Sequence, residues 1–227
     1  MALLGKAALA MWWDIAPEQR AEFEDWHAHE HFPERLSIPG FQRGSRWSGA
    51  NGACFIMYEL ETYETLTSPR YLERLNAPTP WSTKMMPHHR NMVRSQCRVA
   101  ASFGGGVATS LATIRLSAEA GKDEALKAAI IERLHELPTK PGLTGAHLLL
   151  TDTPATSART IEQRLRGSDG VADWIVLLSG YDADVVERTV AGQLSTPALH
   201  RAGARETMMI GQYRLAYTMT PQDVAPL

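Results

Sequence analysis

Apolar runs, helical stretches and turn residues alternate along the chain in an order that predicts a set of six elements. An apolar strand over 6–15 leads into a helix that begins at Pro17 and Glu18. Proline suits the first helical turn, and an acidic residue there suits the helix dipole. Two strands follow, one ending at Trp47 and one over 53–60. A short helix over 63–75 and a strand over 90–101 complete the order βαββαβ.

The same order recurs in the second half of the chain, after the glycine run 104–106. Pro141 and Gly142 lie directly before a predicted strand, as Pro39 and Gly40 do in the first half. The other predicted elements of this half cover 107–116, 118–137, 174–178, 182–194 and 208–219. The polar stretch 153–171 is then a long hairpin insertion. We therefore predict two repeats as domains, over 1–103 and 104–227.

Each half has the order of a split βαβ unit, in which helices cover one face of the sheet and leave the other bare. A bare apolar face needs a partner, and two halves in one chain can cover each other sheet against sheet. The predicted fold class is α+β, with two tandem ferredoxin-like βαββαβ repeats, a barrel-like core and helices outside. Association of two such chains as a homodimer remains open.

Composition and charge narrow the kind of partner. Apolar residues make up 44% of the chain, and the formal net charge of -2 offers no positive field for nucleic acid or an acidic membrane surface. Polar residues interrupt every apolar run well before the roughly 20 residues of a membrane span. Cys54 and Cys97 lack metal or disulfide spacing, which is typical of buried thiols in a reducing compartment. We expect a cytoplasmic protein whose partner is a small molecule.

The segment 26–35 combines tryptophan, histidine, glutamate and arginine. At about 100° per residue, His27 and Glu30 share the helical face of Phe23 beside Trp26. Polar groups on a buried face cost several kcal/mol unless they are paired. His27 and Glu30 therefore either satisfy each other or line a pocket.

Pro33 is expected to end this helix near His31, because its ring clashes with the carbonyl group four residues earlier. His29 points away from the buried face. His31, Glu34 and Arg35 would then lie at the helix end, as groups at the rim of the pocket.

Three interpretations of this segment compete. In the first, His27 and Glu30 form a structural hydrogen-bonded pair in the core. In the second, His27, Glu30 and His31 bind a metal, although they lack the His-Glu-x-x-His order of zinc proteases. In the third, His27 or Glu30 is a general base or acid whose pKa is moved toward neutrality by burial and by its neighbour.

Two more residues are expected at the same pocket. Arg43 and Arg46 have an odd spacing on one strand, so at most one can face the helix, and Arg46 is the candidate anion clamp. Trp81 lies in a stiff, proline-rich loop over 77–83 that suits one wall of a ligand site. The second half carries mostly apolar residues at the corresponding helix positions, so we predict one site per chain.

These residues carry a resemblance to a known family. The run over 26–41, Trp-His-x-x-Glu-His-x-Pro-Glu-Arg-Leu-x-Ile-Pro-Gly-Phe, followed by Arg46 and Trp47, resembles a pattern of the dimeric α/β-barrel superfamily, especially its EthD-like members. Related members include cofactor-free antibiotic-pathway monooxygenases, muconolactone-type isomerases, polyketide cyclases and haem enzymes. The resemblance implies a pocket between sheet and helices without choosing its reaction. Many members are one-repeat homodimers, whereas this chain would be a tandem fusion in which only the first repeat keeps the motif.

The leading hypothesis is a cofactor-independent lyase or isomerase that acts by proton transfer on a small carbonyl-bearing catabolic intermediate. His27 would move the proton, and Glu30 would orient it or act as the acid. The predicted substrate-binding residues are Trp26, His31, Arg35, Arg46 and Trp81.

Two alternatives remain open. One is an oxygen-using monooxygenase or a haem-bound enzyme, since any buried histidine could ligate haem. The other is a non-catalytic small-molecule-binding or stress-response protein. We expect no cofactor and assign no metal ligands, while haem and a divalent metal are left open.

Overall fold

The computed structural model describes residues 3–154 and 159–224, which form an α+β fold of antiparallel strands and short helices. Contacts between residues divide the chain into two compact units. The first unit contains 4–97, 152–171 and 216–227, and the second contains 1–3, 98–151 and 172–215. Four residues of the predicted insertion, 155–158, lie outside the described residues. The repeat boundary at 103/104 stays a prediction, as does the packing of one sheet on another.

The order of elements is βαββαβ in the first half, as predicted. In the second half the same order is interrupted by a helix at Ile161–Arg166, which lies in the stretch predicted to be a hairpin insertion. The strands are β1 (Ala7–Asp14), β2 (Phe41–Ser48), β3 (Ala53–Leu60), β4 (Arg90–Gly104), β5 (Ser110–Leu116), β6 (Leu143–Thr151), β7 (Trp174–Gly180) and β8 (Met209–Met219). The helices are α1 (Arg20–Trp26), a π-helical turn (His27–His31), α2 (Phe32–Leu36), α3 (Pro69–Asn76), α4 (Pro80–Met85), α5 (Asp123–Glu136), α6 (Ile161–Arg166), α7 (Ala183–Gly192) and α8 (Thr196–Arg201). Short 3-10 turns lie at Pro17–Gln19, Ala50–Gly52, Tyr63–Thr67, Met86–His88, Leu137–Thr139 and Pro221–Asp223.

In the first unit, β3 pairs antiparallel with both β1 and β2. The pairing with β1 runs in register from Ala7 opposite Leu60 to Asp14 opposite Ala53. Seven of the eight β1 residues are buried, so this strand is covered on both of its faces. That burial explains why its sequence reads as a continuous apolar run rather than an alternating one.

The helix of the 26–35 segment does not end near His31, so that prediction is wrong. It passes through a π-helical turn at His27–His31 and continues as α2 to Leu36. The amide N–H of Phe32 bonds the carbonyl of His27, five residues earlier, where an α-helix would use a spacing of four. The wider turn lets the chain pass Pro33, which has no N–H to donate to the carbonyl of His29. The turn also rotates the residues that follow it. Their side chains therefore point in other directions than a spacing of about 100° per residue predicts.

The loop predicted over 77–83 is helical from Pro80 onward. Thr79 caps α4, because its side-chain oxygen accepts the backbone N–H of Ser82. Pro80 then occupies the first helical turn, where its missing N–H costs nothing. The proline that suggested a loop is therefore a helix-start signal.

The second unit contains a sheet in the order β8-β5-β7-β6, with antiparallel pairing throughout. Helix α5 buries one apolar stripe, formed by Leu126, Ile130 and Leu134 at the four-residue spacing of a helix face. None of the described helices combines the length and the apolar character that crossing a bilayer requires.

A glycine on β2 allows α2 to pack closely on the sheet of the first unit. A Cβ atom at Gly44 would lie 2.8 Å from Cε1 of Phe32 and 3.0 Å from Cε1 of Tyr58. These two rings meet edge to face, with centroids 5.4 Å apart. Both rings are fully buried, so neither has room to move aside.

We predict that Gly44→Ala lowers the free energy of unfolding by about 1–3 kcal/mol, because the added methyl group overpacks this contact. Urea unfolding followed by circular dichroism measures the change. Gly105→Ala is the matched control, since a Cβ at Gly105 meets nothing within 4 Å, and it should stay within about 0.5 kcal/mol of the parent. Equal stability of the two variants would contradict the close packing of α2 on β2.

Candidate functional site

The ring of His27 is enclosed by aromatic rings of the first unit. Between ring centroids, Phe32 lies at 4.3 Å, Phe23 at 5.2 Å and Trp13 at 6.2 Å. The exposed fraction of His27 is 1%, and its Nδ1 atom has no hydrogen-bond partner among the described residues. Burial lowers the pKa of His27 well below its ordinary value, and the nearby charge of Arg46 lowers it further. The inward orientation predicted for His27 is confirmed, and its ring is a neutral imidazole at pH 7.

His31 is buried too, so its predicted place at the rim is wrong. Its ring stacks on His27 with centroids 5.4 Å apart and lies 4.5 Å from Trp26. His31 is buried because the helix continues past it, and residues four apart share a helix face, so His31 lies beside His27. Burial lowers the pKa of His31 well below its ordinary value, and the charge of Arg35 lowers it further.

A third buried imidazole, His89, belongs to the same cluster, although its sequence context carries no such signal. Its Nδ1–H donates to the carbonyl groups of Met85 and Met86 at 3.2 and 3.1 Å. Its ring lies 4.6 Å from that of Trp13. Burial, with Arg166 adding to the effect, lowers its pKa to about 3.

Glu30 does not pair with His27, so the structural-pair interpretation is wrong. Its Oε1 atom accepts from Trp26 Nε1 at 3.1 Å, from Thr79 Oγ1 at 2.6 Å and from Ser82 Oγ at 3.3 Å. Glu30 thus joins the helix of the 26–35 segment to the start of α4. It is half-buried, because its carboxylate lies toward the outside of the helix.

Arginines and carboxylates, all buried or nearly so except Arg74, form an ion-pair network next to His31. Arg35 donates to Glu34 Oε2 at 3.1 Å and also to Glu162 of α6. Arg166 lies 3.6 Å from Glu162, and Arg74 lies 3.8 Å from Glu34 Oε1. Burial acts to lower the pKa of Arg35, but the two carboxylates outweigh it and raise that pKa above its usual range. Arg35 is therefore a permanent interior charge, and its predicted place at the rim is wrong.

Burial raises the pKa of Glu34 despite the nearby arginines. Arg35 and Arg74 act in the opposite direction, while the charges of Glu162 and Glu30 add to the rise. Its Oε1 atom is buried without a hydrogen-bond partner among the described residues. Oε2 lies 3.9 Å from Nδ1 of His31, which is longer than a hydrogen bond. Glu34 Oε1 therefore has an ion-pair partner in Arg74 but no hydrogen bond among the described residues.

A metal does not suit these groups. The described part of the chain brings His31, Glu34 and Glu162 within 4.8 Å of one another. However, the two carboxylates already face Arg35, Arg74 and Arg166, so a divalent cation would meet three guanidinium groups. The ligand set His27, Glu30 and His31 is not assembled, because Glu30 is bonded to Trp26 and to α4.

A cavity of about 450 Å³ opens beside Glu30 and Glu34. Its apolar wall is formed by Ala28, Pro33, Tyr217, Met219 and Val224. Its polar lining is formed by His29, Glu30, Glu34, Ser37, Arg74, Thr79 and Asp223. Tyr217 also stacks on Phe32 with centroids 5.7 Å apart, and Phe32 packs on His27. His27 therefore lies behind the cavity wall, and the pocket predicted beside it opens on the other side of Phe32.

Arg46 and Trp81 were expected at the same pocket, but neither residue lines the cavity. Arg46 is buried, with its guanidinium 5.7 Å from the ring centre of Phe23 and 5.8 Å from that of Tyr217. Arg43 pairs instead with Glu59 at 2.7 Å, so the prediction that at most one of these arginines faces the helix is confirmed. Trp81 is partly buried against the apolar core and does not line the cavity, whose wall in that region is Thr79.

Sequence reasoning missed Tyr217, Met219, Arg74 and Glu162 as site residues. Tyr217 and Met219 end a strand that was assigned to the second repeat, and Glu162 lies in the insertion. The length and charge of the insertion were a sequence signal for Glu162, and no such signal marked Tyr217, Met219 or Arg74.

No family model and no curated protein matches the chain. An anthrone oxidase-like protein of solved structure is similar with a TM-score of 0.67 and 17% identity, covering 98% of this chain and 96% of the other. A candidate monooxygenase from Fusobacterium nucleatum has a TM-score of 0.62 at 7% identity, with 96% of each chain covered. A candidate chlorite dismutase has a TM-score of 0.56 at 10% identity, covering 93% and 95%. These similarities establish a shared α+β fold.

The buried imidazoles predict how stability depends on pH. His27, His31 and His89 have lower pKa values in the folded protein than the ordinary value near 6.5, so below that pH the unfolded chain binds more protons. The free energy of unfolding should therefore fall as the pH drops, and for His89 this continues down to about pH 3. Each buried ring contributes a slope of about 1.4 kcal/mol per pH unit.

Replacing His89 with Gln should remove one such contribution from the slope. Urea unfolding at several values between pH 6.5 and 5 measures the slope. Thr83→Gln is the control, since Thr83 is exposed and not titratable, and it should leave the slope unchanged. An unaltered slope in His89→Gln would contradict a neutral, buried His89.

Proposed function

We propose that this chain is an oxygen-using enzyme without a cofactor, which removes a proton from a small, largely apolar, carbonyl-bearing substrate. The observation that carries the proposal is Glu34, a carboxyl group with a burial-raised pKa on the wall of an apolar cavity. Glu34 rather than His27 is the base, because Glu34 lines the cavity whereas His27 lies behind Phe32.

Glu34 has the properties of a general base. Desolvation strengthens a carboxylate as a base, because it destabilises the charge that protonation removes. The buried Oε1 atom has no hydrogen-bond partner among the described residues. Its neighbour His31 is held neutral by burial, so it does not compensate the carboxylate as an imidazolium would. A carboxyl group whose pKa is raised by burial and which lines a cavity is a candidate for acid–base chemistry.

The remaining lining suits a substrate with one polar end. Arg74 is half-exposed at the cavity, with its Nη1 atom 3.8 Å from Glu34 Oε1. A carbonyl oxygen bound by Arg74 would gain negative charge as the adjacent C–H loses its proton, and a guanidinium stabilises that charge. Tyr217, Met219 and Val224 offer the apolar surface that a conjugated ring system would cover.

The oxygen step balances without a cofactor. A methylene group next to a conjugated carbonyl gives its proton to Glu34, and the resulting carbanion transfers electrons to O₂ and bonds to it. Cleavage of the O–O bond then leaves a new carbonyl group on the substrate and releases water, so that R₂CH₂ and O₂ become R₂C=O and H₂O. Support for oxygen use comes from the shared fold of an anthrone oxidase-like protein and a candidate monooxygenase.

The same proton transfer would also begin a lyase or isomerase reaction, which was the leading hypothesis from sequence. The similar solved structures, an anthrone oxidase-like protein and a candidate monooxygenase, favour oxygen use over that hypothesis.

We further propose that the two halves are a tandem fusion of ferredoxin-like repeats of the dimeric α/β-barrel superfamily, with an EthD-like motif in the first repeat. The partner is then a small molecule, and a homodimer of this chain is compatible with the family.

The test uses purified protein and a panel of conjugated aromatic ketones and 1,3-diketones. Exchange of the acidic C–H in D₂O without oxygen, measured by NMR, reports proton removal. Oxygen uptake and product mass in air report the second step. We predict that Glu34→Gln lowers both rates by about 10²–10⁴-fold, because the amide cannot accept the proton.

Glu73→Gln is the matched control, since Glu73 is exposed on α3 beside Arg74 and should keep the parent rates. A rate within tenfold of the parent for Glu34→Gln would contradict its role as the base. Exchange of the acidic C–H without oxygen uptake would indicate a lyase or isomerase instead of an oxygen-using enzyme. A stoichiometric haem band in the visible spectrum of the fresh protein would contradict a cofactor-free enzyme.

A further inference from the structure

The first unit contains a second cavity, of about 380 Å³, whose lining is chemically unlike that beside Glu34. It lies between β4 and α6, and its polar lining includes Arg94, Gln96, Arg159, Gln163 and Asp169. We propose that this cavity binds a small oxyanion, either a carboxylate or a phosphate, on Arg94. Anion binding there does not depend on the proposed enzyme activity.

Arg94 is a buried cation with spare donors. Its exposed fraction is 5%, and its side chain makes one hydrogen bond among the described residues, from Nη2 to Tyr71 Oη at 2.9 Å. A guanidinium has five N–H donors, and a phenol is a neutral acceptor. Burying a charge with so few partners is costly unless a ligand or water completes the set.

The nearby carboxylates are already engaged with other arginines. Asp169 lies 3.3 Å from Arg166 Nη2, and Glu162 is paired with both Arg166 and Arg35. Within the described ranges, no carboxylate lies within salt-bridge distance of Arg94. Arg94 therefore faces the cavity as a cation without an ion-pair partner of its own.

Two amide groups add donors to the same cavity. The Oε1 atom of Gln96 accepts from Tyr63 Oη at 3.3 Å. The Oε1 atom of Gln163 accepts from the backbone N–H and the hydroxyl of Thr160 at 3.0 and 3.2 Å. Both amide oxygens are thus occupied, which leaves the two NH₂ groups as donors toward a ligand.

The cavity as a whole is donor-rich. Arg159 adds an exposed guanidinium at its edge, so the lining has two cations and two amide donors. Its one carboxylate, Asp169, pairs with Arg166 through Oδ2, while Oδ1 has no hydrogen-bond partner among the described residues. Guanidinium groups bind carboxylate and phosphate oxygens through parallel hydrogen bonds, which are among the strongest in proteins. The lining therefore matches an anion with several oxygens.

The test titrates the full-length protein with sodium phosphate and with sodium succinate at constant ionic strength, using calorimetry. We expect Arg94→Met to weaken binding of the preferred anion by at least about tenfold, as loss of a charge-assisted contact does. Arg159→Met should weaken it less, because that side chain is exposed. Arg70→Met, an exposed arginine outside the cavity, is the matched control and should bind like the parent.

Binding of phosphate alone would identify the ligand as a phosphate, and binding of succinate alone would identify a carboxylate; either result supports the site. Failure of both anions to bind the parent protein would overturn the proposal. Unchanged binding in a folded Arg94→Met variant would overturn it as well. If Arg94→Met does not fold, the anion affinities of Gln163→Leu and Arg159→Met test the site instead. Parent-like affinity in both variants would overturn the proposal.

Discussion

Arg35 carries a permanent charge in the interior of the first unit, with an exposed fraction of 2%. Such a charge is tolerated only with close counter-charges, and Glu34 and Glu162 supply them. Removing one partner of a buried ion pair typically costs about 3–5 kcal/mol. Because Glu162 lies on α6, the need to neutralise Arg35 holds the insertion against α2. The same pairing orients Glu34, which lines the cavity.

Desolvation has opposite effects on the two kinds of titratable group in this interior. It lowers the pKa of His27, His31 and His89, because their charged form is the protonated one. It raises the pKa of Glu34, because its charged form is the deprotonated one. The site therefore contains neutral imidazoles and a carboxylate of increased basicity, and one cause produces both. Arginines then supply the charge at this site, as at the second cavity.

Local patterns predicted the parts of this structure that depend on neighbouring residues. The order of elements, the strand over 53–60 and the inward position of His27 all follow from apolar periodicity and turn residues. Contacts between distant parts of the chain could not be predicted in that way. Glu162 reaches Arg35 across 127 positions, and Tyr217 joins a cavity whose other walls lie mainly in the first half. No periodicity in the sequence encodes these approaches.

The prediction that the helix ends near His31 was wrong for a local reason. Pro33 was interpreted as a stop signal, whereas the chain passes it through the π-helical turn. The turn contains one residue more than an α-helical turn would need, so every later residue of the helix is rotated relative to an unbroken wheel. This has a consequence for sequence alignment. In a relative whose helix lacks the extra residue, the structural counterpart of Glu34 would be shifted by one position, and an ungapped alignment would compare it with the wrong side chain.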